Sequence, residues 1–136
     1  MTRKEVIEFI QQIQFGYLAT VGSDNAPRVR PVSIKDVYGD DLYFFTFSTT
    51  RKVAEMAANP QVEVVWAKEE ETSQVRIKGK AVVVKDEAIQ KRFLEDNPIA
   101  ARILPEAAQH LFRLYKVQPE NVWIARGLVP YTEVAW

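Results

Sequence analysis

The segment that decides the fold is RVRPVSIKDVYGDDLYFFTFSTTRKVAEMAA, residues 28–58 of the 136-residue chain. Its β-branched and aromatic residues predict two strands, one over residues 28–37 and one over residues 42–47. Gly39 lies between them among aspartates, as expected of a turn. Residues 51–58 have the composition of a short helix. Two neighbouring strands joined by a turn and followed by one short helix are typical of an antiparallel β domain.

The remainder of the chain repeats the pattern of short β-rich runs separated by turn residues. Further strands are predicted over residues 15–21, 62–67, 74–85, 111–117 and 122–125. Turn-rich segments lie at residues 22–27 and 68–73. A closed barrel removes the unpaired edges that so many short strands would otherwise leave. We therefore predict a mainly β fold, a barrel of about six or seven antiparallel strands with flanking helices.

Helical patterns occur near both ends of the chain. Thr2 and Glu5 have the spacing of a capping box, and an amphipathic stripe of apolar residues follows at positions 6, 9, 10 and 13. Asp86 is a predicted N-cap for a second helix that runs to about residue 95. Asn97-Pro98 breaks this helix before a further helical stretch that includes Ala101, Ile103, Ala107 and Ala108.

The length of 136 residues and the hydrophobic fraction of 47% are typical of one globular unit. We therefore expect residues 1–136 to form a single domain. Lysine plus arginine equals aspartate plus glutamate at 18 each, so no overall field attracts nucleic acid or an anionic membrane. The absence of cysteine and the single histidine exclude a Cys/His metal centre. With neither a recognisable secretory signal nor a membrane span, we expect a cytoplasmic protein without nucleic-acid or membrane partners.

The charge distribution at the start of the helix predicted over residues 51–58 is unusual. Arg51 and Lys52 fall in its first turn, where the helix dipole and unpaired N–H groups favour anions. A bound phosphate would remove this conflict, because a capping hydroxyl of Thr49 or Thr50, two cations and free amides would surround it. The alternative is that both cations are solvated and the threonines only cap the helix.

The strand that precedes this region cannot bury both of its faces. Residues 28, 30, 32 and 34 share one face, whereas Lys35 lies on the other. Arg30 could therefore add a bidentate phosphate contact from the neighbouring strand. Pro31 removes a ladder donor, which favours an edge position where backbone groups could turn towards a ligand. The alternative is a partly exposed edge strand whose charges only solubilise it.

Five short motifs follow one another along residues 15–85: RPVSIK at 30–35, LYFFT at 42–46, TRK at 50–52, NP at 59–60 and QVRIKGKA at 74–81. In this order and spacing they resemble the pyridoxamine 5'-phosphate oxidase superfamily. The resemblance implies an FMN-binding split β-barrel that forms a homodimer, with two flavin sites at the subunit interface. It also implies an FMN-dependent oxidoreductase that acts on a small molecule.

The resemblance further implies which residues contact FMN. These positions are Arg30, Pro31, Val32, Ser33, Lys35, Phe45, Thr46, Thr50, Arg51, Lys52 and Gln74. Val32 and Ser33 would contribute backbone groups, and Lys35 holds the place of a substrate-facing lysine. Gln74 holds the place of a glutamine that reaches the flavin from the partner chain.

Two departures from the family pattern disfavour pyridoxamine phosphate oxidation itself and indicate a short relative of those enzymes. Where the family holds the substrate phosphate with a tyrosine, an arginine and a serine, this chain offers Arg92, Asp96 and Ala100. The family's C-terminal Arg-x-His motif is absent. His110 lies outside the matched region and is expected to be structural or solvent-facing, so no catalytic residue is assigned and the substrate stays open.

Three other functions are compatible with a barrel of this kind. A flavin or haem carrier or sensor would bind a cofactor without turnover, and a related reductase would use the deazaflavin F420. A nucleic-acid-binding barrel is disfavoured by the zero net charge. Consecutive aromatics at residues 43–45 indicate a barrel exterior covered by a partner, and the apolar tail from Tyr131 to Trp136 is expected to pack across the dimer or over the pocket.

Overall fold

A computed structural model describes residues 1–103 and 106–136 of the chain. In these ranges the helices are α1 (Arg3–Gln11), α2 (Arg51–Ala58), α3 (Glu87–Asp96) and α4 (Pro98–Ile103). The strands are β1 (Gly16–Val21), β2 (Pro27–Val32), β3 (Asp36–Tyr38), β4 (Asp41–Phe47), β5 (Gln61–Lys68), β6 (Ser73–Val83), β7 (Phe112–Arg126) and β8 (Thr132–Glu133). Short 3-10 turns occupy Glu69–Glu71 and Glu106–Leu111. No helix in the described ranges is long and apolar enough to cross a membrane.

Seven strands form one continuous antiparallel path, and the short β8 adds to β7. The order along the path is β2-β1-β5-β6-β7-β4-β3. Strands β2 and β3 are neighbours in sequence yet lie at opposite ends of this path. Helix α2 follows β4 in the chain but packs against β1, near the other end of the path. The predicted mainly β architecture of antiparallel strands with flanking helices is therefore confirmed.

The prediction of one strand over residues 28–37 is wrong in one respect. The structure has two strands there, β2 and β3, and residues 33–35 belong to neither. Ile34 is almost completely buried, and its carbonyl accepts a hydrogen bond of 3.0 Å from Nε1 of Trp66. This side-chain donor satisfies the carbonyl in place of a ladder partner. The chain therefore leaves the sheet between β2 and β3.

The two strands predicted over residues 111–117 and 122–125 are a single strand, β7. The register between β6 and β7 shifts between Lys78 and Gly79, opposite the proline at position 119. A Cβ placed on Gly79 would lie 2.2 Å from the carbonyl oxygen of Gln118, so only glycine permits this approach. The irregularity accommodates Pro119 without ending the strand.

The helix predictions agree closely with the structure. The capping box of Thr2 and Glu5 is present, and the Asp86 carboxylate accepts from the backbone N–H groups of Ala88 and Ile89. The predicted break at Asn97-Pro98 separates α3 from α4. The helical stretch predicted beyond it includes residues 104 and 105, which lie outside the described residues; α4 precedes them and a 3-10 turn follows.

Two hydrophobic clusters make up the core. The larger one fills the barrel around Trp66 and Phe44, and α1 and Val134 of the C-terminal tail close it. The smaller one lies under α3 and joins Tyr43 and Leu114 to Phe93. The aromatic residues of β4 thus point into both clusters, and α3 of the same chain covers the second face. Tyr43 and Phe44 are thus buried within their own chain, whereas Phe45 is only partly buried, and its contact with a partner stays a prediction.

Candidate functional site

A cavity of about 480 Å³ opens where β2 meets the start of α2. We call it the β2–α2 cavity, and it is lined by residues of β2, of the loop after β4 and of α2: Arg28, Val29, Arg30, Thr49, Thr50, Arg51, Lys52 and Glu55. Four of the eleven residues predicted as cofactor contacts therefore lie together, namely Arg30, Thr50, Arg51 and Lys52. The cavity brings an edge strand of the sheet next to a helix that follows β4 in the chain.

Arg30 is fixed by three hydrogen bonds to neighbouring residues. Its Nη1 donates to the carbonyl of Leu18 at 3.1 Å and to Oγ1 of Thr20 at 2.8 Å. Its Nη2 donates to Oε1 of Glu55 at 2.8 Å, and the Thr20 hydroxyl donates to the same oxygen at 2.9 Å. The hairpin of β1 and β2 sets this geometry, because it places Leu18 directly opposite Arg30.

The first turn of α2 begins without a side-chain cap. Thr50 is the N-cap residue, but its side chain makes no capping hydrogen bond. Its hydroxyl instead donates to the carbonyl of Phe47 at 2.9 Å and lies 3.2 Å from the Thr46 hydroxyl. The predicted N-cap position is therefore confirmed at Thr50, but the capping hydrogen bond is not made, so the Thr50 hydroxyl does not occupy the first N–H groups of α2. These groups face the end of the helix at which a negative charge is stabilised.

The cavity carries a positive charge although the whole chain is neutral. Four of its lining side chains are cationic and one is a carboxylate, so the formal sum is four minus one, or +3. Burial lowers the pKa of Lys52, and the nearby charge of Arg30 lowers it further. A dianionic phosphate in this position would reverse the second effect.

The other predicted cofactor contacts lie outside the β2–α2 cavity. Val32 is buried in the core, and Pro31, Ser33 and Lys35 are exposed. Thr46 is buried behind Thr50, within reach of its hydroxyl.

The ring of Phe45 packs against Phe93 and Phe112, with centroids 6.1 and 6.0 Å apart, and is therefore turned towards α3. Gln74 lies on β6, three strand spacings of about 4.8 Å each from β2. Its Oε1 accepts from the Tyr131 hydroxyl at 2.8 Å and from Nε of Arg76 at 3.3 Å. Within one chain, Gln74 does not join the β2–α2 cavity.

The residues that sequence reasoning misses are Thr20 and Glu55. Thr20 could have been found, because the turn at residues 22–27 implies a hairpin that pairs residue 20 with residue 28. Glu55 shares a helix face with Arg51 at the spacing of one turn, but the sequence does not indicate that this face packs against β1 and β2.

The positions that replace the family's substrate-phosphate residues form a different cluster. The Arg92 guanidinium lies over the Tyr38 ring at 3.9 Å, and the Tyr38 hydroxyl donates to Asp96 at 2.6 Å. Burial raises the pKa of Tyr38, and the hydrogen bond to Asp96 raises it further. Ala100 is buried. An aspartate and a tyrosine already paired with it do not favour a phosphate.

His110 is exposed in the 3-10 turn before β7, in agreement with the expectation of a solvent-facing histidine. Across residues 1–103 and 106–136, His, Asp and Glu side chains form no cluster of three that could hold a metal ion. The C-terminal tail packs on its own chain: β8 pairs with β7, and Nε1 of Trp136 donates to the carbonyl of Asp40 at 2.7 Å.

Comparison with known proteins places these features in a family. A family model described as pyridoxamine 5'-phosphate oxidase matches residues 2–125. A pyridoxine/pyridoxamine 5'-phosphate oxidase of Burkholderia lata is 37% identical over 86 residues, which are 63% of this chain and 40% of that protein. The match thus spans two fifths of the curated relative's length.

Solved structures share the fold at low sequence identity. A NimC/NimA family protein of Clostridium acetobutylicum has a TM-score of 0.80 at 21% identity, over 96% of this chain and 89% of that chain. General stress protein 26 of Bacillus anthracis has a TM-score of 0.76 at 22% identity, over 98% of this chain and 99% of that chain. These likenesses concern the split-barrel fold alone.

The family model covers both sides of the β2–α2 cavity and all of the strands from β1 to β6. It extends through nearly all of β7, the longest strand of the barrel. With its split barrel and this match over most of its length, the chain belongs to the pyridoxamine 5'-phosphate oxidase family.

Proposed function

We propose that the chain is an FMN-binding flavoprotein whose β2–α2 cavity holds the phosphate of the cofactor. The observation that carries this proposal is the convergence of Arg30, Thr50, Arg51 and Lys52 on one cavity with a formal charge of +3. A phosphate monoester carries about −1.5 to −2 at neutral pH and accepts hydrogen bonds through three oxygens. Guanidinium, ammonium, hydroxyl and backbone N–H groups supply the donors that it requires.

Each of these residues has a distinct part in binding. Arg30 is held rigidly by its neighbours and presents a planar donor to the cavity. Lys52 supplies a point charge, and the first turn of α2 supplies backbone donors. When bound, FMN supplies hydride or electron transfer, and the protein holds it in place and tunes it. We therefore propose an oxidoreductase for a small molecule. The sequence leaves the substrate open, and the cytoplasmic location stays a prediction.

The same proposal includes a homodimer. An outward row crosses five strands in register, and it consists of Pro31, Tyr17, Val65, Arg76 and Trp123. Tyr17 is 50% exposed and its neighbour Val29 is 68% exposed. Apart from Arg76, which pairs with Glu63 at 3.2 Å, the row is apolar, and exposed apolar residues of this kind are typical of a surface that another subunit covers. Gln74 lies on β6 beside this row, so a second copy could bring it to the cavity of its partner.

The test is titration of the purified protein with FMN, followed by the quenching of flavin fluorescence. Riboflavin, which lacks the phosphate, is the matched ligand control. We expect FMN to bind at least tenfold more tightly than riboflavin, since charge-assisted hydrogen bonds contribute about 1.5–3 kcal/mol each. The double variant Arg51→Ala/Lys52→Ala should lose this preference, whereas Lys91→Ala on the exposed face of α3 should retain it.

Failure of the native protein to bind FMN would refute the proposed cofactor. If FMN binds, NADH or NADPH is then added to the loaded protein under nitrogen, and the flavin absorbance is recorded. Bleaching of the flavin by NADH or NADPH would support an oxidoreductase. If these donors do not reduce the flavin, and small oxidants cause no turnover, the protein is better described as a carrier.

A further inference from the structure

We propose that Glu55, together with Thr20, positions the Arg30 guanidinium so that its side edge faces the phosphate. This inference rests on the proposed FMN function and adds a residue that lies behind the cofactor-binding groups. Glu55 is therefore a positioning residue, which acts on the cofactor through Arg30.

The first argument is a count of donors. An arginine has five N–H donors in one plane. Arg30 uses three of them, two from Nη1 to Leu18 and Thr20 and one from Nη2 to Glu55. Within the described ranges, the hydrogen bonds of Arg30 leave Nε–H and the second Nη2 hydrogen. These two hydrogens form the side edge of the guanidinium, which binds two phosphate oxygens at once.

The second argument is the closed ring of hydrogen bonds at the end of the guanidinium that Nη1 and Nη2 form. Thr20 accepts from Nη1 and donates to Oε1 of Glu55, and that same oxygen accepts from Nη2. The three distances are 2.8, 2.9 and 2.8 Å, so the ring of contacts has normal hydrogen-bond lengths. Turning the guanidinium within its own plane would break at least two of these bonds. The support therefore fixes the direction of the side edge.

The third argument is burial. The Glu55 side chain is only 10% exposed, and Nε of Arg28 lies 4.0 Å from its second oxygen. A carboxylate so far removed from water is retained only where cations compensate it. Glu55 binds Arg30 directly, whereas Arg28 donates its closer hydrogen bond to Asp24 at 3.0 Å, so both arginines have a carboxylate partner. The cationic cavity is thus assembled before the phosphate arrives, which lowers the ordering cost of binding.

A carboxylate near a phosphate site has an opposite effect as well, because it repels the ligand. If repulsion dominated, removal of Glu55 would tighten FMN binding. If positioning dominates, removal of Glu55 weakens FMN binding even though the cavity becomes more positive. The sign of the change therefore separates the two effects.

The experiment compares Glu55→Ala, Glu55→Gln and the native protein as dissociation constants for FMN and for riboflavin at one ionic strength. We expect Glu55→Ala to weaken FMN binding about tenfold, as for the loss of one charge-assisted hydrogen bond. Riboflavin binding should change less than twofold. Glu55→Gln should stay within threefold of the native value for FMN, because its amide oxygen still accepts from Arg30. Glu87→Ala, an exposed glutamate of α3, is the matched control.

Three results would overturn the inference: unchanged or tighter FMN binding by Glu55→Ala, an equal loss for riboflavin, or a loss for Glu55→Gln as large as that for Glu55→Ala. Should Glu55→Ala fail to fold, Thr20→Val keeps the side-chain shape and removes the bridging hydroxyl. It should weaken FMN binding about threefold and spare riboflavin, and the absence of this difference would refute the proposal. A native protein that binds no FMN would refute the proposed function itself.

Discussion

Lys52 lies where a cation is disfavoured from two sides. It stands in the first turn of α2, at the positive end of the helix dipole, and it is close enough to Arg30 for the two charges to repel. Burial lowers its pKa from the ordinary value of 10.5, and the Arg30 charge lowers it further. Such a residue lowers the free energy of unfolding of the ligand-free protein, and a bound anion would offset this loss.

The substitution Lys52→Met keeps the aliphatic stem and removes the charge. We expect the melting temperature of the flavin-free protein to rise slightly and the affinity for FMN to fall about tenfold to a hundredfold, as for the loss of a charged hydrogen bond. Lys91→Met, on the exposed face of α3, should change neither quantity. A lower melting temperature together with unchanged FMN binding would contradict this account of Lys52.

The lowered pKa of Lys52 also gives a pH dependence with a defined sign. In the window between its folded-state pKa and 10.5, the folded protein has released the Lys52 proton while the unfolded chain still holds it. The contribution of Lys52 to stability therefore increases as the pH rises through this window. In Lys52→Met this increase should disappear from the stability profile of the flavin-free protein.

The sequence alone is sufficient to identify residues whose charge conflicts with their position in a local element. Arg51 and Lys52 at a helix N-terminus are such a case, and the structure places both beside Arg30. Glu55 and Thr20 have no such local anomaly. Their part in the site depends on the packing of α2 against β1, a contact between segments 35 residues apart in the chain.

At the scale of elements, local signals predict the helices well and the ends of strands less well. Capping residues and prolines determine where helices begin and end, and these signals lie within a few residues of the helix ends in the sequence. The break between β2 and β3 depends instead on a hydrogen bond from Trp66 to Ile34, 32 residues away. The continuity of β7 through Pro119 depends on the close approach of Gly79 from another strand. Neither contact is visible in the local sequence.

Gly79 offers a direct test of this strand geometry. Gly79→Ala would place a Cβ 2.2 Å from the Gln118 carbonyl oxygen, a backbone atom that cannot rotate away. We expect a loss of about 1–3 kcal/mol in the free energy of unfolding, measured with urea, as for overpacking in a tight core. Gly39→Asn is the control, because nothing lies within 4 Å of that position and asparagine tolerates its positive φ. Equal stability of Gly79→Ala and the native protein would show that the strands separate freely at this point.

At the scale of the whole molecule, the exposed face of the β2 end of the sheet determines the proposed assembly. Val29 lies on this face on β2, the strand that carries Arg30, and Tyr17 lies on the adjacent β1. The family and the split barrel follow from an ordered series of short motifs, because such motifs record the sequence of elements. The assembly does not follow in the same way, since the exterior of β4 is covered by α3 of the same chain.

The substitution Val29→Asp tests the assembly. Val29 and Ile99 are each 68% exposed, on β2 and on α4 respectively, so Ile99→Asp is a matched control. We expect Val29→Asp to convert a dimer to a monomer, because a charge would be buried at the interface. Its FMN affinity does not test the assembly, because Val29 also lines the β2–α2 cavity. Ile99→Asp should leave the dimer intact. Light scattering during size-exclusion chromatography measures the mass, and a native protein that elutes as a monomer would contradict the proposed dimer.

The strand path begins with β2 and ends with β3, and the β2–α2 cavity joins β2 to the helix that follows β4. Glu55 already joins α2 to β1 and β2, and a phosphate bound in the cavity would add further contacts between β2 and the first turn of α2. Occupancy of the site and anchoring of α2 on the sheet would then be coupled, so that any phosphate-bearing ligand of this cavity would also stiffen the join between helix and strand.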